Sequence, residues 1–440
     1  MIDDKEIIIK FLDLNLKPKE KERRELGEVF TPRSLINEML DKLPKEVFSN
    51  KELRWFDPAV GIGNFMIEIY WRLMDGLKDE IIDFDERKSH IISKMLYMSE
   101  LNEDNIKECK RIFREEINIY EGDTLQMSNE DKFDIIVGNP PYNKGGIRSF
   151  TGKQLGDKNE TIWPLFVKKS FDILKNDGYL LFITPLSWLK KSHSVHNLLL
   201  EKRIIWMKLW DNSQSKKMIN ADIPISLYLV KNNLNEKIKT EITSVLKRRN
   251  LIITSNEYLN KEYSIPLAYH SIFNKLTTFI EENNCKLDIN TKVIKSVGEK
   301  QKIPKEYNLK DLWAIDTYRL NEGLIVKKAT EQHPDADKKK LIIANKSSFK
   351  GAFIDDGKLS LTGAGKYYII GDNLELIRDM LNYKISNIIS QFTKYGQDFL
   401  SNEAFTFIPD IRKLGIKDIT EDEFYKLLKL TQDEIKQIEN

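Results

Sequence analysis

The run FDIIVGNPPYNKGG, residues 133–146, drives an apolar strand into an Asn, two prolines and a Tyr. Pro140 and Pro141 donate no backbone hydrogen bond, so they end a ladder and stiffen the chain beyond it. A rigid mouth at the end of a buried strand is where open α/β sheets place their ligands. The residue types suit holding an amine attached to an aromatic ring, with a plain rigid Pro-Pro turn as the alternative. Such a nitrogen is a poor nucleophile because its lone pair is delocalised. Two acceptors, the Asn139 side-chain carbonyl and the Pro140 backbone carbonyl, can take its two hydrogens and favour a pyramidal nitrogen with a directed lone pair. Geometry and proximity then supply the catalysis without a strong base. Tyr142 is positioned to stack on the base that carries the amine. Stacking is worth about 1–3 kcal/mol per base, comparable to the few kcal/mol that extruding a base from a duplex costs.

Three acidic positions upstream lie where strands end. In DPAVGIGNF, residues 57–65, the small residues Ala59, Gly61 and Gly63 let the backbone pass close to a ligand, and Asp57 can face a ligand amine or hydroxyl. The spacing is not G-x-G-x-x-G, and no Lys-Ser or Lys-Thr follows, so neither a dinucleotide site nor a phosphate loop is indicated. The alternative is a plain tight β–α turn. Glu100, in LYMSELNEDN, is placed to accept from both hydroxyls of a ribose, or else caps a helix. Asp123, in YEGDTLQ, has the position for an adenine-edge contact, with capping as its alternative. Glycine turn, ribose acid and adenine-side acid at successive strand ends favour a nucleoside ligand that lacks phosphates. S-adenosylmethionine meets that description.

These residues need a sheet to align them. From about residue 26 to 235 short apolar runs alternate with helical periodicity. Strands are expected at Arg54–Phe56, Met95–Ser99, Ile117–Tyr120, Phe133–Val137, Tyr179–Thr184, Ile205–Trp210 and Ile225–Val230. Helices are expected at Ser34–Lys42, Gly63–Met74, Asp104–Phe113 and Trp163–Leu174. The alternation implies βαβ units and a mainly parallel sheet, with the last two runs able to pair as an antiparallel hairpin. Residues 1–25 are expected as an N-terminal helical extension. NNLNEKIKTE reads as a polar linker, and a second domain of mixed α+β character is expected over 241–440. Short strands with Gly turns between Trp313 and Ile370 lead there to a helical tail.

Composition narrows the class. The 440 residues carry a net charge of +2 with 31% charged residues, so global charge does not announce a nucleic-acid partner. Lys247, Arg248 and Arg249 cluster, as do Lys338, Lys339, Lys340, Lys346 and Lys350. Such runs are usually solvated faces, with phosphate contact as the alternative. Cys109 and Cys285 have no Cys-x-x-Cys spacing, and the five histidines form no ligand cluster. No disulfide scaffold and no metal site are expected. The acidic N-terminus reads as no secretory signal, and no run of eighteen apolar residues occurs, so a soluble cytoplasmic protein without a membrane span is expected.

As an ordered set, GEVFTP (residues 27–32), DPAVGIGNF, SELNEDN, EGD, VGNPPY and GYLLFITPLSWL (residues 178–189) resemble the motifs of adenine-N6 DNA methyltransferases of the gamma arrangement. The TaqI-like and Eco57I-like modification enzymes are of this kind. The resemblance covers about residues 26–230. More loosely, the stretch from LIIANKSSFKG through FIPDI to EFYKLLKLTQDEIKQIEN resembles the target-recognition domains of the same group. It implies a Rossmann-like class I S-adenosylmethionine-dependent methyltransferase domain followed by a DNA target-recognition domain. Phe30, Thr31 and Pro32 then cover the methionine end of the cofactor, where Asp57, Pro58, Ala59, Gly61, Gly63 and Phe65 also lie. Glu100 holds the ribose and Asp123 the adenine, and Leu101 and Thr124 are further cofactor-binding residues. Asn139 meets cofactor and substrate, and with Pro140, Pro141 and Tyr142 holds a flipped adenine.

One position departs from the pattern. Where relatives carry a Phe that packs on the target base, SKKMINADIPISLYLV puts Met218, whose sulfur makes softer aromatic contacts. Trp210 is the candidate substitute. Asn rather than Ser before the prolines favours adenine over cytosine. The same NPPY occurs in enzymes that methylate RNA or a protein glutamine, but those chains are usually shorter and lack a large C-terminal module. Double-stranded DNA is the expected partner, with Lys338, Lys340 and Lys346 as phosphate contacts. The short stretch ahead of GEVFTP is too small for a nuclease domain. A stand-alone monomer is expected, orphan or serving a separately encoded restriction endonuclease.

Overall fold

The computed structural model describes residues 2–15, 31–114, 117–143, 160–234, 238–302, 313–319, 323–344, 348–349, 352–361, 366–395 and 400–439. Two compact units divide the chain, Met1–Lys261 and Glu262–Asn440. In the first, helix α1 (Lys5–Asn15) and α2 (Arg33–Leu40) precede strand β1 (Trp55–Asp57), α3 (Asn64–Gly76), α4 (Phe84–His90) and β2 (Leu96–Glu100). Next come α5 (Glu103–Phe113), β3 (Asn118–Glu121), β4 (Phe133–Gly138), α6 (Trp163–Ile173) and β5 (Leu174–Pro185). The unit closes with α7 (His196–Leu200), β6 (Lys202–Trp210), α8 (Asn212–Ile219), β7 (Ile225–Leu234), β8 (Thr240–Leu246) and β9 (Leu251–Glu257).

Its strands form one sheet in the order β3-β2-β1-β4-β5-β7-β6-β8-β9. From β3 through β5 every pairing is parallel; β7 runs antiparallel to β5 and β6. This is the α/β, Rossmann-like arrangement expected, and the antiparallel alternative for the last two apolar runs is the one adopted. Burial explains the strand sequences. Ile135, Ile136 and Val137 of β4 are at most 1% exposed, so a central parallel strand covered on both faces reads as a continuous apolar run. The helices show one apolar stripe instead. In α5, Ile106, Cys109, Ile112 and Phe113 are buried at three- and four-residue spacing, and the Asn102 side chain caps the first turn by accepting from the Asp104 N–H.

Two expectations shift. The stretch 241–261, expected in the second domain, belongs to the first: β8 pairs parallel with β6, and β9 antiparallel with β8. The residues of β8 alternate between buried and half-exposed, and the run read as a linker begins inside β7, which ends at Leu234, and runs into β8 at Thr240. The polar stretch after Trp210 is helix α8, started by the Asp211 carboxylate accepting from the Gln214 N–H at 2.9 Å.

The second unit begins with α9 (His270–Glu282) and contains a sheet of β10 (Ser296–Lys302), β11 (Trp313–Arg319), β12 (Gly323–Ala329) and β15 (Ser360–Leu361). A second sheet joins β13 (Lys339–Ala344) to β14 (Phe353–Asp356) on one side and to β16 (Lys366–Ile370) on the other. Val326, Ile342, Leu359, Leu361 and Tyr368 form a core between these strands. Helices α10 (Leu374–Leu381), α11 (Lys384–Phe392), α12 (Asn402–Phe405), α13 (Glu421–Leu427) and α14 (Gln432–Glu439) complete the unit, the mixed α+β texture with a helical tail that the sequence implies. Among the described residues no helix is long and apolar enough to cross a membrane.

Candidate active site

Strand order reverses between β1 and β4: the chain lays β2 and β3 on one flank of β1, then returns to pair β4 on the other. Carboxyl ends of strands at such a reversal form the crevice in which open α/β sheets bind ligands. A cavity of about 390 Å³ lies there, and Asp57, Glu100, Asp123 and Asn139, from the ends of β1, β2, β3 and β4, all line it. Pro58, Ala59, Gly61, Phe65, Leu101, Thr124, Pro140, Pro141 and Tyr142 are also on its wall. The sheet therefore collects residues that are as far apart in sequence as Asp57 and Tyr142.

The glycine turn is held from several sides. Gly61 has φ +57°, and a Cβ added there would meet no atom within 4 Å, so its missing side chain leaves space open beside the cavity. Its N–H donates to Glu100 Oε2 at 2.8 Å, and its carbonyl accepts from the Cys109 thiol at 3.2 Å. Glu100 Oε1 accepts from the N–H groups of Leu101 and Asn102 at 2.9 and 2.8 Å. Glu100 is thus a strut between two loops as well as part of the wall. Asp123 caps the turn after β3, its Oδ1 accepting from the Leu125 N–H at 3.0 Å, and it lines the cavity in the same pose. Capping and a place on the wall are therefore compatible at that residue. The buried Thr124 hydroxyl sits between the Pro58 carbonyl and Ser99 Oγ, pinning the turn after β3 to the turn after β1.

Asp57 is 2% exposed, and its Oδ1 accepts from the Ala59 N–H at 3.0 Å. Burial pushes its carboxyl up to about 8; the Ala59 N–H works against this, and the nearby charge of Glu100 adds to it. Gly138 explains how Asp57 fits. At φ +150°, a Cβ on Gly138 would lie 2.8 Å from Asp57 Oδ1, so only glycine lets β4 pass this carboxylate. Sequence reasoning does not mark Gly138, although its place between an apolar strand and Asn139 is an available signal.

At the mouth, Asn139 Nδ2 donates to Thr31 Oγ1 at 3.3 Å, and Asn64 Nδ2 reaches the Thr31 carbonyl at 3.5 Å. Tyr142 is 7% exposed, its hydroxyl makes no hydrogen bond among the described residues, and burial pushes the phenol far up. The Ile162 N–H donates to the Tyr142 carbonyl at 3.1 Å, so the start of α6 closes over the mouth. Ile162, Leu165 and Phe166 add an apolar wall that sequence reasoning misses; the apolar face of the helix after NPPY is its only sign. Pro32 is the residue ahead of α2, Gly63 the one ahead of α3, and neither lines the cavity. Phe30 lies outside the described residues.

The other expected substrate contacts fare differently. Met218 is half-buried on α8, which packs against β6 and β8, and it is not on the cavity wall; nor is Trp210, 1% exposed within β6. Neither supplies the second stacking wall there. Lys340 is a correction. Its ammonium is fully buried against Asp355 at 2.6 Å and donates to the carbonyls of Ala336 and Lys338, so no phosphate reaches it. The pleat of β13 turns it inward and leaves Lys339 exposed, paired with Glu375, while Lys338, just ahead of the strand, is exposed and paired with Asp335. Lys346 lies outside the described residues.

The wall has the donor set of a cationic nucleoside site. It holds the carboxylates of Asp57, Glu100, Asp123 and Glu160 and no Lys or Arg among the described lining residues, which suits an ammonium, a sulfonium and ribose hydroxyls and offers a phosphate no cationic side chain. Residues 59–221 match the family model described as Eco57I restriction-modification methylase. An "Uncharacterized adenine-specific methylase" of Mycoplasma pneumoniae (strain ATCC 29342 / M129 / Subtype 1) is 45% identical over 73 residues, 16% of this chain and 17% of that protein. Type II methyltransferase M.BsuBI of Bacillus subtilis is 24% identical over 250 residues, 52% of this chain and 49% of that protein. A solved structure of the Type IIL restriction-modification enzyme MmeI in complex with DNA aligns with a TM-score of 0.48 and 12% identity, over 84% of this chain and 66% of that one. The chain spans less than half the length of the curated relatives it matches. The matched segment is thus similar to the methylase domains of restriction-modification enzymes.

Proposed function

We propose that this protein methylates N6 of an adenine extruded from double-stranded DNA, as a gamma-arrangement enzyme in which the first unit does the chemistry and the second reads the sequence. The observation that carries this reading is one cavity holding both Asn139-Pro140-Pro141-Tyr142 and the acids Asp57, Glu100 and Asp123. S-adenosylmethionine held along Asp57, Glu100 and Asp123 would supply an electrophilic methyl to the amine nitrogen, with S-adenosylhomocysteine and one proton, lost to solvent, as the other products.

The chain's own residues bind and orient. Asp57 faces the ammonium of the methionine end, beside Thr31 and the glycine turn. Glu100 has its carboxylate fixed by three backbone N–H groups, so it meets the ribose hydroxyls already oriented. Asp123 keeps Oδ2 for the adenine edge while Oδ1 caps its turn. Asn139 Oδ1 and the Pro140 carbonyl accept the two amine hydrogens of the target, and the Tyr142 ring stacks on the base. Lys338, on the surface of the second unit, is a phosphate contact. The enzyme works as a monomer in the cytoplasm, as an orphan or beside a separately encoded endonuclease.

The test is transfer of labelled methyl from S-adenosylmethionine to unmethylated DNA, with total RNA and a protein extract as parallel acceptors, followed by nucleoside analysis. N6-methyladenine in one short DNA motif is the expected result. Label only in RNA or in glutamine would keep the first unit's chemistry and overturn the role given to the second. Asn139→Ala should abolish transfer while the cofactor still binds; full turnover by that variant would remove NPPY from the mechanism.

A further inference from the structure

We infer that the first unit has a phosphate-binding rim of its own, formed by Lys216, Lys217 and Lys247, along which the DNA backbone runs away from the mouth of the cavity. This rests on the proposed DNA substrate and adds a surface to it. The sheet places the rim. Strands β4 and β5 are parallel; β5 and β6 both run antiparallel to β7, and β8 is parallel to β6. The carboxyl ends of β4, β5, β6 and β8 therefore share one edge, where β4 delivers Asn139 and the prolines. Helix α8 follows the end of β6, and the turn Lys247–Arg249 follows the end of β8. The two are joined, since the Asp211 N–H donates to the Val245 carbonyl at 3.4 Å and α8 packs on the turn.

Charge divides along this edge. Residues 57–63, 100–104 and 121–124, at the ends of β1, β2 and β3, include six Asp or Glu and no Lys or Arg. Residues 186–195, 211–224 and 246–250, at the ends of β5, β6 and β8, include seven Lys or Arg against two Asp. One of those two, Asp211, caps α8. Lys216, Lys217 and Lys247 are exposed, and none forms an ion pair with a described residue. At the opposite edge the signs are mixed: Arg54 pairs with Asp131 at 3.1 Å, Lys175 with Asp134 at 2.8 Å and Lys231 with Asp177 at 3.1 Å. A polyanion therefore meets one prevailing sign on the half of the carboxyl edge beyond β5. The spacing suits a duplex. Neighbouring strands lie about 4.8 Å apart, which puts β6 and β8 about 14 and 19 Å from β4. One DNA strand carries a phosphate about every 3.4 Å of duplex axis, so about five or six fall within that span. Such contacts hold the duplex in register and carry no base information, so the rim sets affinity and leaves the methylated motif to other residues.

The test measures the Kd of the full chain for unmethylated duplex DNA over a range of salt, by fluorescence anisotropy. One variant combines Lys216→Gln, Lys217→Gln and Lys247→Gln. A control of equal charge combines Lys45→Gln, Lys94→Gln and Lys132→Gln, exposed lysines ahead of β1, β2 and β4 at the opposite edge. Each lost phosphate contact lowers the slope of log K against log salt by about 0.9, so the rim variant should lose about 2 to 3 and the control little. The cofactor Kd is expected to match wild type in both. An unchanged slope in the rim variant, or an equal loss in the control, would overturn the inference. So would a lower melting temperature with the slope kept, which would make Lys216 and Lys217 charges on the last turn of α8 only. Labelled methyl transfer by the wild type is read alongside. If DNA is methylated and the rim variant binds as wild type does, only this inference fails; if label goes to RNA or protein alone, the DNA reading beneath it fails as well.

Discussion

Placing the cofactor's ammonium on Asp57, as proposed, predicts a link between cofactor affinity and pH whose direction can be worked out beforehand. Its carboxyl is pushed up to about 8 by burial, so near neutrality the free protein carries it mainly protonated. An ammonium docked against it favours the ionised form, so binding should release a proton. The apparent Kd is then the intrinsic one multiplied by 1 + 10^(pKa − pH). Affinity should tighten by roughly 20-fold between about pH 6 and about pH 7.5, allowing for the ligand's own α-amino group, which has an ordinary pKa near 8 and stays mostly charged in this range. Glu100 and the Cys109 thiol are the other titratable groups close enough to act on Asp57. Glu100→Gln should therefore shift the curve and Asp57→Asn should flatten it. The same linkage appears in stability. The folded-state pKa is raised, so unfolding releases the proton, and the free protein should lose stability as pH rises from about 4 through about 8. The cofactor-induced rise in Tm should grow over that range. Calorimetry in two buffers of different ionisation enthalpy counts the protons directly. Near pH 6.5 nearly one proton per cofactor is expected to leave. A pH-independent Kd with no proton released would refute the placement of the ammonium on Asp57.

Further outcomes rest on packing. Lys340→Ala leaves the Asp355 carboxylate buried without its cation and should destabilise the protein by about 3–5 kcal/mol in urea titrations. Lys338→Ala should leave the melting temperature unchanged while lowering the salt dependence of DNA binding by up to about 0.9 per phosphate contact; an unchanged slope would make Lys338 a solvated charge only. Gly138→Ala brings a Cβ to 2.8 Å from Asp57 Oδ1 in a left-handed backbone conformation, so one of the two must move, at about 1–3 kcal/mol of local strain. Cofactor affinity measured by calorimetry should fall with it; unchanged binding would mean that Asp57 is free to turn away.

What the sequence makes legible here is set by how locally each feature is encoded. The strand Phe133–Gly138 and the turn after Asp57 announce themselves because a doubly covered strand must be apolar throughout and a tight turn needs small residues. Glu100 and Asp123 are recognisable as strand-end acids, but what each of them does depends on atoms the local pattern does not specify. Glu100 holds Gly61, whose place in the chain is far from its own, and the capping that competes with ligand contact at Asp123 uses only one of its two oxygens. Gly138 and Asp57 define each other across adjacent strands, a relation no local pattern contains.

Lysines 338–340 mark the limit most clearly. Three adjacent cations look like one patch, yet entry into β13 imposes a period of two, and the residue turned inward meets Asp355 on the paired strand β14. Burying Lys340 there is tolerable because its three N–H groups find Asp355 and two carbonyls. That full satisfaction also removes it from any role in binding phosphate.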